Sequence, residues 1–342
     1  MQIKDLTFEE LQSFLKEFQL PGYRAQQIFD WIYQKKSFDW QEMTNLPQSI
    51  RRELTEKGLV IAALKPVTSV TGSDGTTKYL FELSDGERIE SVFLPEQHRN
   101  TVCFSTQVGC GMGCAFCATG KNGLIRNLTT AEIVDQIVRI ATITGTRITN
   151  VVAMGQGEPF ANYEALLKAI RILNHSQGLA LGARRITIST CGIVPGILKL
   201  AEEPFQVNLA ISLHAAEDQL RERLMPINKV YPLKALMAAS KSYLAKTGRR
   251  ITYEYALIDG VNDRPQDQVN LVQLLSGMLC HVNLIPLNPV TGTPFQRSRS
   301  DRISGFAAAL NEAGIETTIR KERGSTLAAA CGQLQSKRLE RP

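Results

Sequence analysis

Over the last two thirds of the chain, short β-branched runs alternate with helical stripes, and this alternation constrains the fold more than any other feature. The runs lie at 102–105, 151–154, 185–190, 207–213, 252–257 and 282–286, with a further run at 317–320. Helical stripes follow, for instance at 130–143, 163–174 and 266–279. Strand–helix alternation of this kind predicts a parallel sheet with crossover helices. Six such units are too few for the closed eightfold barrel, so the expected class is α/β, an incomplete (βα)6 barrel.

The chain ahead of this region reads differently. Phe8, Leu11, Phe14, Leu15 and Phe18 fall at three- and four-residue spacing, the stripe of an amphipathic helix, which Leu20-Pro21-Gly22 stops. A second stripe holds Ile28, Phe29 and Ile32, and a third helix is expected over 48–57, between Pro47 and Gly58. From 59 to 94 the runs are short and separated by Gly72-Ser73-Asp74-Gly75 and Asp85-Gly86, which read as hairpin turns. Three parts are therefore expected: a helical accessory domain at 1–58, a bridging β-hairpin region at 59–98, and the partial barrel at 99–342.

At 342 residues, 43% apolar and 21% charged, the chain can bury a barrel-sized core. Its start lacks the basic, then apolar, stretch of a secretory signal, and no apolar run approaches a membrane span, so a cytoplasmic location without membrane contact is expected. Net charge is +6 but uneven: residues 1–58 carry eight Lys/Arg against nine Asp/Glu, whereas 291–342 carry nine against five. A basic region suits a phosphate-bearing partner, though a surplus this size is also common on solvated surfaces.

Seven cysteines in a reducing compartment argue for catalysis or metal binding rather than a disulfide framework. Three of them, Cys110, Cys114 and Cys117, sit in one glycine-rich loop after the first barrel strand. Structural zinc normally takes four ligands in two paired groups, which this segment lacks. Three thiolates on a four-iron cluster leave one iron open to a ligand. Met154-Gly-Gln-Gly-Glu-Pro159 follows the second strand, Ser189 ends the third, Ser212-Leu213-His214 ends the fourth and Asn288 follows the sixth. These polar groups share the strand C-terminal face, where barrel enzymes place their sites. Singly, Ser189 or Asn288 reads equally well as a turn residue.

The spacing C-x3-C-x2-C, with an aromatic residue before the last cysteine, resembles the radical S-adenosylmethionine superfamily. Glu90 in Ile-Glu-Ser-Val, Cys103 ahead of the cysteine trio, Gly-Glu-Pro, Ser-Thr-Cys191-Gly, Ser-Leu-His214, Met-Pro-Ile-Asn228 and Ala-Cys331-Gly-Gln-Leu make the chain similar to the RlmN/Cfr family, over nearly its whole length. The resemblance implies a 4Fe-4S cluster on Cys110, Cys114 and Cys117. It also implies S-adenosylmethionine, two per turnover, held by Gly157, Glu158, Ser189, Ser212, Leu213, His214 and Asn288. The implied reaction is methylation of an adenosine carbon in 23S ribosomal RNA and in transfer RNA. Cys331 would carry the methyl group, Cys103 would form a transient disulfide with it, and Glu90 would move a proton. An electron donor such as flavodoxin or ferredoxin, and action as a monomer, are further implications.

An aromatic adenine carbon is not nucleophilic, which is why such a reaction needs a carbon radical and more thiols than the cluster uses. Lys321 and Arg323 are near enough in sequence to favour a Cys331 thiolate. RNA contacts are expected from the N-terminal helices and from Arg297, Arg299, Arg302, Lys337, Arg338 and Arg341. Cys280 reads as a buried thiol at a helix end, Cys191 lies near the donor site without an assigned role, and His98 and His175 read as surface or core residues. Other readings stay open: the resistance branch that methylates C8 of the same adenosine, a different radical enzyme with the same cluster, and a zinc-bearing RNA-binding module. Ser-Thr-Cys191-Gly-Ile-Val-Pro and Gly-Gln-Gly-Glu-Pro favour the C2 branch.

Overall fold

A computed structural model of the chain describes residues 1–321, 323 and 332–334. The N-terminal part is helical: α1 (Phe8–Glu17), α2 (Tyr23–Phe29), continued by a π-helical turn, and α3 (Gln48–Glu56). Thr7 caps α1, accepting from Glu10 N (3.2 Å) while Glu10 Oε2 accepts from Thr7 N (2.8 Å). This reciprocal box satisfies two otherwise free helix-end donors. Leu11 and Leu15 of α1 pack with Ala25, Ile28 and Phe29 of α2 in the main core.

Next come β1 (Leu64–Thr71), β2 (Thr77–Leu83) and β3 (Arg88–Glu96), joined by the two expected hairpin turns. The barrel region then runs β4 (Arg99–Cys103), β5 (Gln107–Gly109), β6 (Leu124–Asn127), α4 (Thr130–Thr144), β7 (Asn150–Ala153), α5 (Tyr163–Asn174), β8 (Ile186–Thr190) and α6 (Val194–Leu200). It continues with β9 (Asn208–Ser212), α7 (Asp218–Leu224), α8 (Leu233–Thr247), β10 (Ile251–Leu257), α9 (Pro265–Leu275), β11 (Cys280–Pro286), α10 (Ser300–Glu312) and β12 (Thr317–Ile319).

The described residues form a ten-stranded sheet, ordered β1-β2-β3-β4-β7-β8-β9-β10-β11-β12. From β4 onward neighbours are parallel, giving six βα units and a final strand, the incomplete α/β barrel expected. The hairpins are not a separate bridge, because β3 pairs antiparallel with β4 and extends the barrel sheet across residue 98. Two sequence expectations shift. The helix read over 266–279 ends at Leu275, so Cys280 opens β11 instead of ending a helix. The cysteine loop does not follow β4 directly, because β5 and β6 pair as a small second sheet around it.

Strand periodicity assigns the two barrel faces. In β10, Ile251, Tyr253, Tyr255 and Leu257 are fully buried beneath the helices. Thr252 and Glu254 face inward and line the interior cavity. In α4, Ile133, Val134, Ile137, Val138 and Ile140 are fully buried, each contributing about 1.5–3 kcal/mol of apolar transfer. No helix among the described residues is long and apolar enough to cross a membrane.

Candidate active site

The cysteine loop is fixed at several points. Gly109 has φ +75°, and a Cβ there would stand 2.1 Å from Gly123 O, so only glycine fits. Cys110 N donates to Gly123 O (2.9 Å), Ala115 N to Leu224 O (2.9 Å) and Ala118 N to Gly332 O (2.7 Å). Cys110, Cys114 and Cys117 all line one cavity of about 170 Å³. Burial pushes the Cys110 thiol up to about 11 and raises that of Cys114, with Cys117, Cys110 and Glu158 adding to the second shift. Among the described residues, no three His, Cys, Asp or Glu side chains converge on one point as around a single ion. A cluster takes one thiolate per iron, and three cysteines lining one cavity supply the donor set for three of its four irons.

The same cavity is lined by Gly157, Glu158, Ser189, Ser212, His214 and Asn288, so the structure brings most of the expected donor residues together. Gly157 has φ +102°, and a Cβ would stand 2.6 Å from the Gln107 side chain, which fixes glycine at the turn. Glu158 is spent on the scaffold: its carboxylate accepts from Phe160 N (3.0 Å) and Cys191 N (2.7 Å), tying the loops after β7 and β8. Burial raises its pKa, which these bonds oppose. Leu213 is fully buried and its side chain lines neither cavity; its carbonyl accepts from Arg221 Nε (3.2 Å).

His214 has φ +56°, and its Nδ1 accepts from Ala256 N (2.9 Å), so its ring proton sits on Nε2. Its ring meets Phe116 edge-on, with centroids 4.8 Å apart. Burial, with Arg221 adding to it, lowers the His214 pKa to about 3, keeping the imidazole neutral. Asn288 borders this cavity and a larger one, and its buried Oδ1 has no hydrogen-bond partner among the described residues. An orphaned acceptor aimed into a cavity is an observation that fits a donor ligand there.

The larger cavity, of about 880 Å³, is lined by Cys103 from the end of β4. Cys103 is buried against Val92, Val152 and Leu334, and Thr119 Oγ1 donates to Leu334 O (2.7 Å). Cys331 lies outside the described residues, as do Lys337, Arg338 and Arg341. Glu90 is buried and pairs with Lys78 (3.0 Å). In an extended strand it shares a face with Val92, which stands opposite Cys103.

Of the cations named from sequence, Arg323 is held by Glu96 (3.2 Å) and Pro95 O (2.8 Å), and Arg299 and Arg302 are engaged by Asp301 (3.0 Å) and Asp263 (3.2 Å). Lys321 and Arg323 line the larger cavity that Cys103 also lines, together with Arg99, Arg249, Arg250 and Arg320, which were not singled out from sequence. His175 stacks on Phe8, with centroids 4.8 Å apart, in a packing role.

Two residues of the site carried no sequence signal of their own. Glu254, between the two cavities, accepts from Asn283 Nδ2 (2.8 Å), and burial raises its pKa. Arg221, fully buried in α7, binds the carbonyls of Cys191, Ser212 and Leu213 and the side chain of Asn228. Only Met-Pro-Ile-Asn228 pointed near it.

A partial barrel with a three-cysteine loop and a polar ring at its strand ends defines a radical S-adenosylmethionine enzyme. The family model for the Radical SAM superfamily matches residues 104–272, and that for the ribosomal RNA large subunit methyltransferase N-terminal domain matches 1–60. A relative from Caldicellulosiruptor saccharolyticus, "Probable dual-specificity RNA methyltransferase RlmN", is 51% identical, covering 98% of this chain and 97% of its own. One of the same name from Thermoanaerobacter sp. (strain X514) is 48% identical over 99% and 98%. The crystal structure of a radical SAM methyltransferase from Sphaerobacter thermophilus superposes with a TM-score of 0.95 at 50% identity, covering 98% of this chain and 99% of that one. The chain belongs to the RlmN family of radical SAM RNA methyltransferases, whose cofactors are a 4Fe-4S cluster and S-adenosylmethionine.

Proposed function

We propose that this chain methylates C2 of an adenosine in 23S ribosomal RNA, at the peptidyl-transferase centre, and of an adenosine in the transfer RNA anticodon loop, by way of a methylated Cys331. The relatives' name, a dual-specificity RNA methyltransferase, supports an RNA substrate, and the family description of the N-terminal domain supports ribosomal RNA as one of them. The observation that carries the thiol assignment is the docking of Gly332–Leu334 between the cysteine loop and Cys103. One side of that short segment meets Ala118, next to Cys117; the other meets Cys103.

In this reading Cys110, Cys114 and Cys117 hold the cluster, and Gly157, Ser189, Ser212, His214 and Asn288 border the donor. When bound, the two together supply a methyl group and, on one-electron reduction, the hydrogen-abstracting radical that makes the methyl carbon reactive. The chain's own residues do the rest. His214, neutral with its proton on Nε2, offers a donor to the site without adding charge. Glu158 keeps the loop after β8 in place while remaining bonded within the scaffold.

Glu90 accepts the C2 proton of the RNA adduct on Cys331. Once the adduct radical has lost one electron, which the oxidised cluster would accept, the Cys103 thiolate attacks the Cys331 sulfur, the carbon–sulfur electron pair passes to the methylene carbon, that carbon takes a proton to become the methyl group, and a Cys103–Cys331 disulfide remains for an external thiol to reduce. The target base must leave its stack to enter the cavity. Residues 1–58 form the RNA-contacting domain, a low-potential protein such as flavodoxin or ferredoxin supplies the electron, and the enzyme acts as a cytoplasmic monomer.

Anaerobic incubation with RNA, followed by nucleoside analysis and peptide mapping, tests the reading. The expected results are 2-methyladenosine and one added methyl on Cys331. Cys331→Ala should abolish product, and Cys103→Ala should accumulate a protein–RNA crosslink. Free product at normal yield from Cys103→Ala, or 8-methyladenosine from the wild type, would overturn the corresponding assignment.

A further inference from the structure

Arg221 is fully buried, and every group it binds is neutral. Its guanidinium donates to the carbonyls of Cys191 (2.7 Å), Ser212 (3.2 Å) and Leu213 (3.2 Å) and to Asn228 Oδ1 (2.9 Å). Among the described residues no carboxylate forms an ion pair with it. Asp218 makes no ion pair with it but lies near enough to favour its charge, and joins the hydrogen-bond network through Asn228, whose Nδ2 donates to Asp218 Oδ1 (2.8 Å). A charge taken out of water and given only neutral partners is costly unless an anion stands nearby in the working state.

The surroundings indicate where that anion sits. Ala115 N bonds Leu224 O (2.9 Å), so the cysteine loop rests on the helix that carries Arg221. Met112, Cys114 and Phe116 pack against Leu220, Leu224 and Met225.

We propose that Arg221 is the buried counter-charge of the iron–sulfur cluster and sets its reduction potential, with Asp218 moderating the effect through Asn228. This rests on the cluster assignment to Cys110, Cys114 and Cys117. A three-thiolate cluster is net negative and gains a further negative charge on reduction. A fixed cation in a low-dielectric surround therefore favours the reduced form, raising the potential. Arg221 is thus a positioning and tuning residue: it spans the ends of β8 and β9 while its charge faces the electron-accepting group.

The test is a dithionite titration of the anaerobically reconstituted full chain, followed by electron paramagnetic resonance, with iron and sulfide content measured alongside. Arg221→Gln keeps polar bonding but loses the charge. Its ratio of reduced to oxidised cluster at a fixed potential should fall about tenfold, a negative shift of about 59 mV for one electron. Arg221→Lys keeps the charge, and its ratio should stay within about threefold of wild type. Asp218→Asn keeps an acceptor for Asn228 and Leu233 N while removing a negative charge, so its ratio should rise, opposite in sign to Arg221→Gln.

A purely structural role would move both Arg221 variants together and leave no opposite sign at Asp218; either result overturns the proposal. If Arg221→Gln fails to hold a cluster, Asp218→Asn still decides, because an unchanged or lowered potential there is incompatible with the proposal. A wild-type protein without bound iron and sulfide would instead remove the cluster assignment beneath it.

Discussion

Among the described residues, two long cationic side chains are withdrawn from solvent, at opposite kinds of place. Lys4 lies where the N-terminal segment meets the barrel, and its Nζ bonds Asp135 of α4. Asp135 also accepts from Ala63 N and Leu64 N (2.9 Å each) and faces Arg139 (3.6 Å), while the Phe38 ring lies under both cations. Every charge at that seam is answered by the chain itself. Arg221, by contrast, has only neutral acceptors. The first arrangement fixes a joint between three segments; the second is a charge held in readiness for a group the chain does not encode. A buried cation's role is read from its partners rather than from its burial.

The contrast breaks most visibly at Asp135. Asp135→Ala strips Lys4 of its counter-charge and leaves two backbone donors unpaired, a loss of about 3–5 kcal/mol. For a domain of this size that lowers Tm by roughly 10 °C. Calorimetry should show the drop, while the cluster potential of the folded fraction stays at the wild-type value. A shifted potential with unchanged Tm would mean that the seam, too, serves the cluster.

A smaller, pH-dependent effect belongs to the Arg221 side. His214 is held neutral with a folded pKa of about 3, below its ordinary value near 6.5. Between those values the unfolded chain binds a proton that the folded protein refuses. Stability therefore falls as pH drops through the window, with a slope of at most about 1.4 kcal/mol per pH unit. Asn is well suited to test this, since it tolerates the positive φ and offers an acceptor to Ala256 N. In the cluster-free protein, urea midpoints for His214→Asn should show a shallower slope between about pH 3 and 6.5 and converge with wild type near pH 7. Parallel slopes would show that His214 does not carry the acid sensitivity of the site.

What could be read from sequence divides along the same line. The six parallel strands and the cysteine loop were legible because periodicity and short spacing are local properties. Ser189, Ser212, His214 and Asn288 could be grouped because a barrel collects the ends of its strands on one face. Arg221 could not be singled out, since a lone arginine in a short charged helix reads as surface until the fold encloses it. The cations around the larger cavity were hidden for a similar reason: Arg99, Arg249, Arg250 and Arg320 come from different strand ends. Arg302, named from sequence for RNA contact, meets its carboxylate partner Asp263 only once α10 is folded beside the start of α9. The burial of Glu90 carries no local signal, because it depends on the sheet continuing from β3 into β4.

The gentlest probe separates folding of the N-terminal helices from work at the barrel mouth. Thr7→Ala removes the side-chain cap of α1 and half of its reciprocal box, costing about 1 kcal/mol. Tm should fall by about 2–4 °C. Glu10 still reaches Lys168 on α5 (2.8 Å), so the helix should remain docked against the barrel. At temperatures well below the transition, cluster content, potential and methyl loading of Cys331 should match wild type, because none of the groups around the cysteine loop touches α1. RNA affinity is the sharper readout: if residues 1–58 hold the substrate as a rigid body, the apparent KM for RNA should change by less than about twofold. A larger change at unaltered kcat would place α1 itself in the RNA contact and would make the N-terminal seam functional as well as structural.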